Sequence, residues 1–471
     1  GNYNVVVGDE AGTALTTGDN NVAVGKDALR TEDAHGKNVA VGMNALEDLN
    51  AGADGENVAV GNEAGSEMTT GIKNVLVGSQ AGDALTDADF NVAVGMAALS
   101  GDTLGSKSVA VGTFSLLAQN FTTATDSFNT AVGHSAGLSV TTGVQNTLIG
   151  GLAGDSLTDA DFNVALGSVA LSLDTLGSRT TAIGLGALQN QNFTTATDTY
   201  NVAIGFQAGH DVTTGTKNSL IGGLSGDALT TGDRNVAVGY TTLSSDTAGR
   251  KSTAIGYQAL LSQNFSTTTE SFNTAVGYDA GLSVTTGLRN TLIGGLAGDA
   301  ITIGTNNIAL GYSSISSNTT SSNNVAVGNL ALNTFNITTG GDGYNVAIGT
   351  SAGAAVTTGV ENTLIGGLSG DALTDADFNT AVGYSALTAD TLGSRSVAVG
   401  TAALQAQNFT TATDTYNTAV GFSAGKAVTT GTQNTLIGGL AGDAQTTSSG
   451  NTALGYASLT DNVLGSNSVA I

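Results

Sequence analysis

The sequence predicts an all-β protein, a repetitive parallel β-roll or β-solenoid of about 26 turns. Three observations carry that prediction. A glycine returns on a fixed beat, an apolar tripeptide of strand type precedes each of these glycines, and proline is absent from all 471 residues.

The beat is read from Asn-x-Ala-Val-Gly, as in Asn91-Val92-Ala93-Val94-Gly95. Its glycine falls at 8, 25, 42, 61, 78, 95, 112 and 133 and continues to Gly455, 26 glycines with 25 intervals. Nineteen intervals are 17 residues, five are 21 and one is 19, so the turns run from 17 to 21 residues. Each long interval closes a cycle of four, giving a 72-residue super-repeat through Gly61, Gly133, Gly205, Gly277, Gly349 and Gly421. A short fixed period marks a quasi-one-dimensional array. The chain is therefore read as one continuous array over 1–471, with 1–60 slightly diverged and more charged, and not as the roughly three domains that length alone suggests. At ~4.8 Å per stacked strand the array extends roughly 125 Å.

Strand identity follows from alternation. In Val92-Ala93-Val94 the valines share one face and alanine takes the other, so both faces are apolar and both must be covered. One face fills the turn's own interior; the other meets something else. The middle residue is mostly Ala, with Leu every fourth turn, as at Leu148, Leu220 and Leu292. Small residues there let neighbouring backbones approach, and on this reading the Ala/Leu rank is the shared interface between chains. A second glycine follows the first in the Leu turns, as in Gly150-Gly151, and reads as space made for the larger side chain. Gly95 and Gly167 mark a corner that needs positive φ or tight packing. Four residues before the glycine stands Asn in 22 of 26 turns, as at Asn91 and Asn163, which reads as a ladder of stacked amides. The exceptions, Ser108, Thr180, Ser252 and Ser396, share one turn type. Missing proline fits, because each strand needs its N–H for the next turn.

The charge balance excludes some functions. Thirty-eight acids against 13 Lys and Arg give −25, and the bases look spread along the chain, so nucleic acid is not a partner. An acidic surface suits a soluble, self-repelling fibre. No apolar run reaches the ~18 residues of a membrane span, so no membrane contact is expected of this segment. Cysteine is absent, which removes disulfides and thiolate metal sites. The chain reads as a segment of a longer protein, with Lys26, Arg30, Glu32, Asp33, His35 and Lys37 marking approach to a junction.

Ser108-Val109-Ala110-Val111-Gly112 and Ser396-Val397-Ala398-Val399-Gly400 resemble the Ser-Val-Ala-Ile-Gly repeats of YadA-like trimeric autotransporter adhesin heads. Asn273-Thr274-Ala275-Val276-Gly277-Tyr278 and Asn451–Tyr456 are similar to the Asn-Thr-Ala-Ile-Gly-Tyr repeats of phage tail fibres and bacterial surface proteins. The resemblance covers essentially the whole chain. It implies a left-handed roll packed as a homotrimer, an extracellular place on a virion tail fibre or bacterial cell surface, and attachment to a host receptor or glycan. The 17-residue turn is longer than the usual adhesin-head repeat.

Candidate sites are few. Gly-x-Ser-x-Gly at Gly133–Gly137, Gly349–Gly353 and Gly421–Gly425 resembles a hydrolase elbow, but related turns carry Gln207 or Asp279 in the serine's place and no strand–turn–helix surrounds it. His35, His134 and His210 do not show ligand spacing, so no enzyme is predicted. Acidic turns offer Asp83, Asp87 and Asp89, Asp155, Asp159 and Asp161, and Asp371, Asp375 and Asp377. These read as solvated turns, with Ca²⁺ held by clustered carboxylates as the alternative and as the sole cofactor candidate. The loops of the long turns carry Phe121, Phe193, Phe265 and Phe409. Each phenylalanine either folds back over the enlarged corner or meets a receptor or glycan. The function expected is a non-enzymatic fibre, the shaft or head of a tail fibre or adhesin. A bacterial extracellular matrix filament without a receptor is the first alternative. An ice-binding solenoid is the second, disfavoured because Thr-Thr-Gly recurs mainly in one turn of four.

Overall fold

The computed structural model describes residues 1–471 and contains β-strands and turns only. No helix is present, so none is long and apolar enough to cross a membrane. The chain forms two compact units, Gly1–Arg234 and Asn235–Ile471. The first contains 13 motif strands, from Val5–Val7 to Ser219–Ile221, and the second contains 14, from Val236–Val238 to Val469–Ala470. Both are parallel β-solenoids. Within each unit every motif strand pairs with the equivalent strand one turn on and in full register, as Val92↔Val109, Ala93↔Ala110 and Val94↔Val111. The long turns add a second small parallel pair, such as Gly105–Ser106 with Thr125–Asp126, which carries the extra residues.

The period-2 alternation places the middle residue inside. Ala23, Ala93, Leu148, Leu220 and Leu292 are wholly buried, while the residues on either side are half-buried or exposed in every turn from Val22–Val24 to Thr452–Leu454. This reverses the face assigned from sequence. The Ala/Leu rank packs within its own turn, and the Val/Thr and Val/Ile/Leu ranks face outward. Small residues go inside because one turn encloses little volume.

Leu148 fits for a reason other than Gly151. A Cβ on Gly137 would come within 2.8 Å of one Leu148 methyl, and a Cβ on Gly154 within 2.8 Å of the other. Leu220 lies likewise against Gly209 and Gly226, and Leu292 against Gly281 and Gly298. The space for leucine is thus made by glycines across the core. Gly151 faces outward, where an added Cβ would meet nothing within 4 Å.

The motif glycines satisfy both requirements read from sequence. Gly95 has φ +138°, and a Cβ there would be 2.5 Å from the Gly112 carbonyl oxygen. The short apolar segment that follows the motif glycine, such as Ala97-Ala98-Leu99, forms a turn and not a second strand. Ala97 and Leu99 are left-handed, with φ of 49° and 57°, and Leu99 is wholly buried.

The asparagine column is a side-chain-to-backbone clamp more than a stack of amides. The Asn91 N–H donates to Asn74 Oδ1 (2.9 Å), and its Nδ2 donates to the Gly105 carbonyl (2.9 Å). Asn163 repeats this with Asn146 Oδ1 and Gly177. Amide-to-amide bonds occur at a few turns, such as Asn324 to Asn307 (3.0 Å). The clamp has a clear cause: the corner's peptide groups are buried and need partners.

Candidate functional site

The long-turn loops fold inward. Phe121 is 5% exposed, and Phe193, Phe265 and Phe409 are each 7% exposed. These rings therefore cannot be the receptor-facing groups of the loops; they plug the enlarged corner, and Thr122, Thr123 and Ala124 are what the loop exposes. Beneath the plug lies a buried polar network. Asp102 Oδ1 accepts the N–H of Gly105 (3.0 Å) and of Phe121 (3.1 Å), and Oδ2 accepts Gln119 Nε2 (2.6 Å). Gln119 Nε2 also reaches Ser108 Oγ (2.8 Å), and Gln119 Oε1 accepts Asn129 Nδ2 (2.9 Å). Asp174/Gln191/Thr180, Asp246/Gln263/Ser252 and Asp390/Gln407/Ser396 repeat the arrangement. Burial pushes the Asp174 and Asp246 carboxyls up, against the bonds from glutamine and backbone that hold them down.

This network explains the four turns that lack the ladder asparagine. A hydroxyl is needed there to accept the glutamine amide. The diverged fifth copy confirms the coupling: Asn318 replaces the aspartate, Phe335 the glutamine, and Asn324 restores the ladder. Gln119→Ala is expected to destabilise by about 1–3 kcal/mol, because Asn129 Nδ2 and Asp102 Oδ2 lose a buried partner. Adding Asp102→Asn, Ser108→Asn and Ser127→Gly with Gln119→Phe installs the residues of the fifth copy, where a Cβ at Gly343 would lie 2.6 Å from the Phe335 ring, and is expected to restore most of the loss, read as strong non-additivity in denaturation.

Most carboxylates of the acidic turns are held by a neighbouring turn. Asp87 accepts the Thr70 hydroxyl (2.6 Å) and Asp89 the Ile72 N–H (2.8 Å). Asp159 and Asp161 do the same with Thr142 and Val144, and Asp375 and Asp377 with Thr358 and Val360. Asp371 accepts the Thr388 hydroxyl. None of these nine carboxylates joins a group of three convergent ligand atoms. Asp83 and Asp155 each keep a buried Oδ1 without a hydrogen bond. Desolvation, helped by the charges of Glu67 and Glu63, pushes Asp83 up to about 6 from 3.8. The folded chain therefore holds that proton more tightly than the unfolded chain. The charged form is penalised above about pH 6, and the penalty fades as pH falls through 6 and is gone below about 4. Asp83→Asn is expected to raise the melting temperature at pH 7.5 and to leave it unchanged at pH 4.

One group of three does converge: Glu32, Asp33 and His35, within four residues of each other in the first, diverged cycle. Sequence reading set His35 aside because the histidines do not space as ligands along the chain. The signal it lacked was a comparison with the equivalent turns, where these three positions read Asp102, Thr103 and Gly105.

The fold also gathers charge. Nine of the 13 bases and nine aromatic residues occupy one column, the residue immediately before the ladder position. Lys107 and Arg179 lie over the Phe128 and Phe162 rings (5.2 and 4.7 Å) and pair with Asp126 and Asp198 (2.5 and 3.0 Å). Lys251 and Arg395 repeat this with Phe272 and Glu270, and with Phe378 and Asp414. The five phenylalanines of this column, Phe90, Phe128, Phe162, Phe272 and Phe378, are about half exposed, each with a cation over one ring face. A second exposed aromatic column follows the motif glycine, where Tyr257 and Tyr278 stack at 5.3 Å.

Threonine forms its own column. Thr69, Thr86 and Thr103 stand on consecutive turns, a denser array than the Thr-Thr-Gly count suggests, yet their hydroxyls donate to the next turn, as Thr86 to the Thr103 carbonyl (3.1 Å). The serine of Gly133–Gly137, Ser135, is 4% exposed in a left-handed turn, and the surface has no pocket. The sequence matches no protein-family model and no curated protein.

Proposed function

We propose that this chain is a structural fibre segment, the shaft or head of a phage tail fibre or bacterial surface adhesin, working as a homotrimer outside the cell. The observation that supports this most is the outward face of the motif strands. In each unit it carries two side-by-side ranks over 13 or more turns, Val/Thr/Ile with a single serine, Ser219, and an unbroken Val/Ile/Leu rank. Ile221 and Ile293 are 38% and 41% exposed there. At ~4.8 Å per turn and ~7 Å between ranks, a unit's stripe covers on the order of several hundred Å², at the upper end of what a single soluble chain leaves bare. Three in-register copies around one axis bury that stripe along its length, as the resemblance to trimeric adhesin heads implies. The turns then set stiffness and spacing, and exposed loop residues such as Thr122–Ala124 repeat at intervals of roughly 19 Å, four strands at ~4.8 Å, for contact with a receptor or glycan. Adsorption tests the attachment role. Labelled chain retained on whole bacteria or on their isolated surface polysaccharide supports it. Chain retained on neither favours a matrix filament.

A further inference from the structure

We propose that Glu32, Asp33 and His35 bind one divalent transition-metal ion of the zinc class. Their ligand atoms lie within 4.8 Å of one another, and no other group of three His, Asp or Glu residues in the chain does so. Bonds of ~2.0–2.2 Å to one ion close that spread with small rotations of the exposed Asp33 side chain. One imidazole nitrogen and two carboxylates suit zinc and its neighbours better than calcium, which takes six to eight oxygens.

Two features suit this group to a cation. His35 Nδ1 is buried and has no hydrogen-bond partner, and it faces Glu32 Oε1 at 3.6 Å. Glu32 is wholly buried, and a buried carboxylate needs positive charge close by. Its two oxygens accept only backbone N–H groups, from His35 (3.1 Å) and Ala51 (3.3 Å). Those bonds aim the carboxylate and leave a lone pair on each oxygen, as outer-shell contacts do for metal ligands. Of the nearby bases, Arg30 is engaged with Glu47 and Lys37 with Asp54, so the one cation the chain itself can offer Glu32 is a protonated His35, whose proton the metal ion would replace.

The replacements are coordinated. Where other cycles seal this corner with Phe121 and Gln119, the first has Ala51 and Leu49. In those cycles a Cβ at Gly105, Gly177, Gly249 or Gly393 would first meet the aspartate carboxylate, at 2.1, 2.1, 2.0 and 2.2 Å, with the Phe121 ring next at Gly105 (2.7 Å). In the first cycle Glu32 stands in place of that aspartate and His35 in place of the glycine. The ion takes over the role of the aromatic plug and the glutamine network, pinning a corner that has neither.

The test is calorimetric titration of Zn²⁺ into the full chain after chelator treatment. His35→Gly and Asp33→Thr install the residues that the equivalent turns already carry, so the fold tolerates both. One Zn²⁺ per chain is expected, with affinity at least tenfold weaker in each variant and unchanged in His134→Ala. Absence of saturable binding, or binding that keeps its affinity in both variants, overturns the proposal.

Discussion

Gly150→Ala is expected to destabilise its turn by about 2–6 kcal/mol, whereas Gly151→Ala, one residue on, is expected to change stability by less than about 0.5 kcal/mol. The two glycines differ in every relevant respect. Gly150 has φ +138°, a region essentially closed to residues with a side chain, and a Cβ there would lie 2.5 Å from the carbonyl carbon of Gly167 and 3.0 Å from the Ser168 nitrogen. Those atoms are the backbone of the next turn, so no rotamer change relieves the collision. Gly151 faces open space at an ordinary φ. Because each turn touches only its neighbours, the damage stays local. Hydrogen exchange should therefore show protection lost around 147–167 and kept several turns away. Equal effects of the two substitutions would mean that the corner does not have this geometry.

Charging the outward face is expected to have the largest effect on assembly. Ile293→Lys with Ile348→Lys puts two cations per chain on the Val/Ile/Leu rank of the second unit, where Ile293 and Ile348 are 41% and 38% exposed. In a single chain these lysines are solvated and their strands keep every ladder bond, so the far-UV spectrum should not change. In a trimer each is desolvated beside its two symmetry copies, a penalty of several kcal/mol per site. Conversion to monomer with secondary structure intact is the expected result. An unchanged mass would show that the rank faces solvent in the assembled protein.

Much of the fold is legible in the sequence because its determinants are local and repeated. Gly95 and Gly167 announce the corner and Val-Ala-Val the strand, while Asn91 and Asn163 announce a stacked column whose bonds, read as amide to amide, run mainly to backbone groups. Which rank faces inward is not legible from alternation, since a strand apolar on both faces satisfies either choice, and a one-residue shift exchanges them. The decisive sign lay elsewhere, in the glycines at 137 and 154 that leave room for Leu148. Phe121 and its copies gave the opposite difficulty. A phenylalanine among threonines reads as either a cover for the corner or an exposed contact, and the choice is made only when its neighbours Asp102 and Gln119 are seen to form a floor beneath it. The serine and threonine at 108, 180, 252 and 396 were the trace of that floor. The cation–aromatic column was invisible along the chain because its members stand 17 or more residues apart, and coiling alone brings them together. His35 was missed for another reason: its group occurs once, in a sequence whose logic is repetition.

Sedimentation equilibrium of the unmodified chain tests the central claim most directly. A mass of three times 46.2 kDa, falling to one chain in the Ile293→Lys/Ile348→Lys variant, is the result this account predicts. A stable 46.2 kDa monomer with the outward face intact would contradict it, leaving that face free in solution and the fibre reading without its means of assembly.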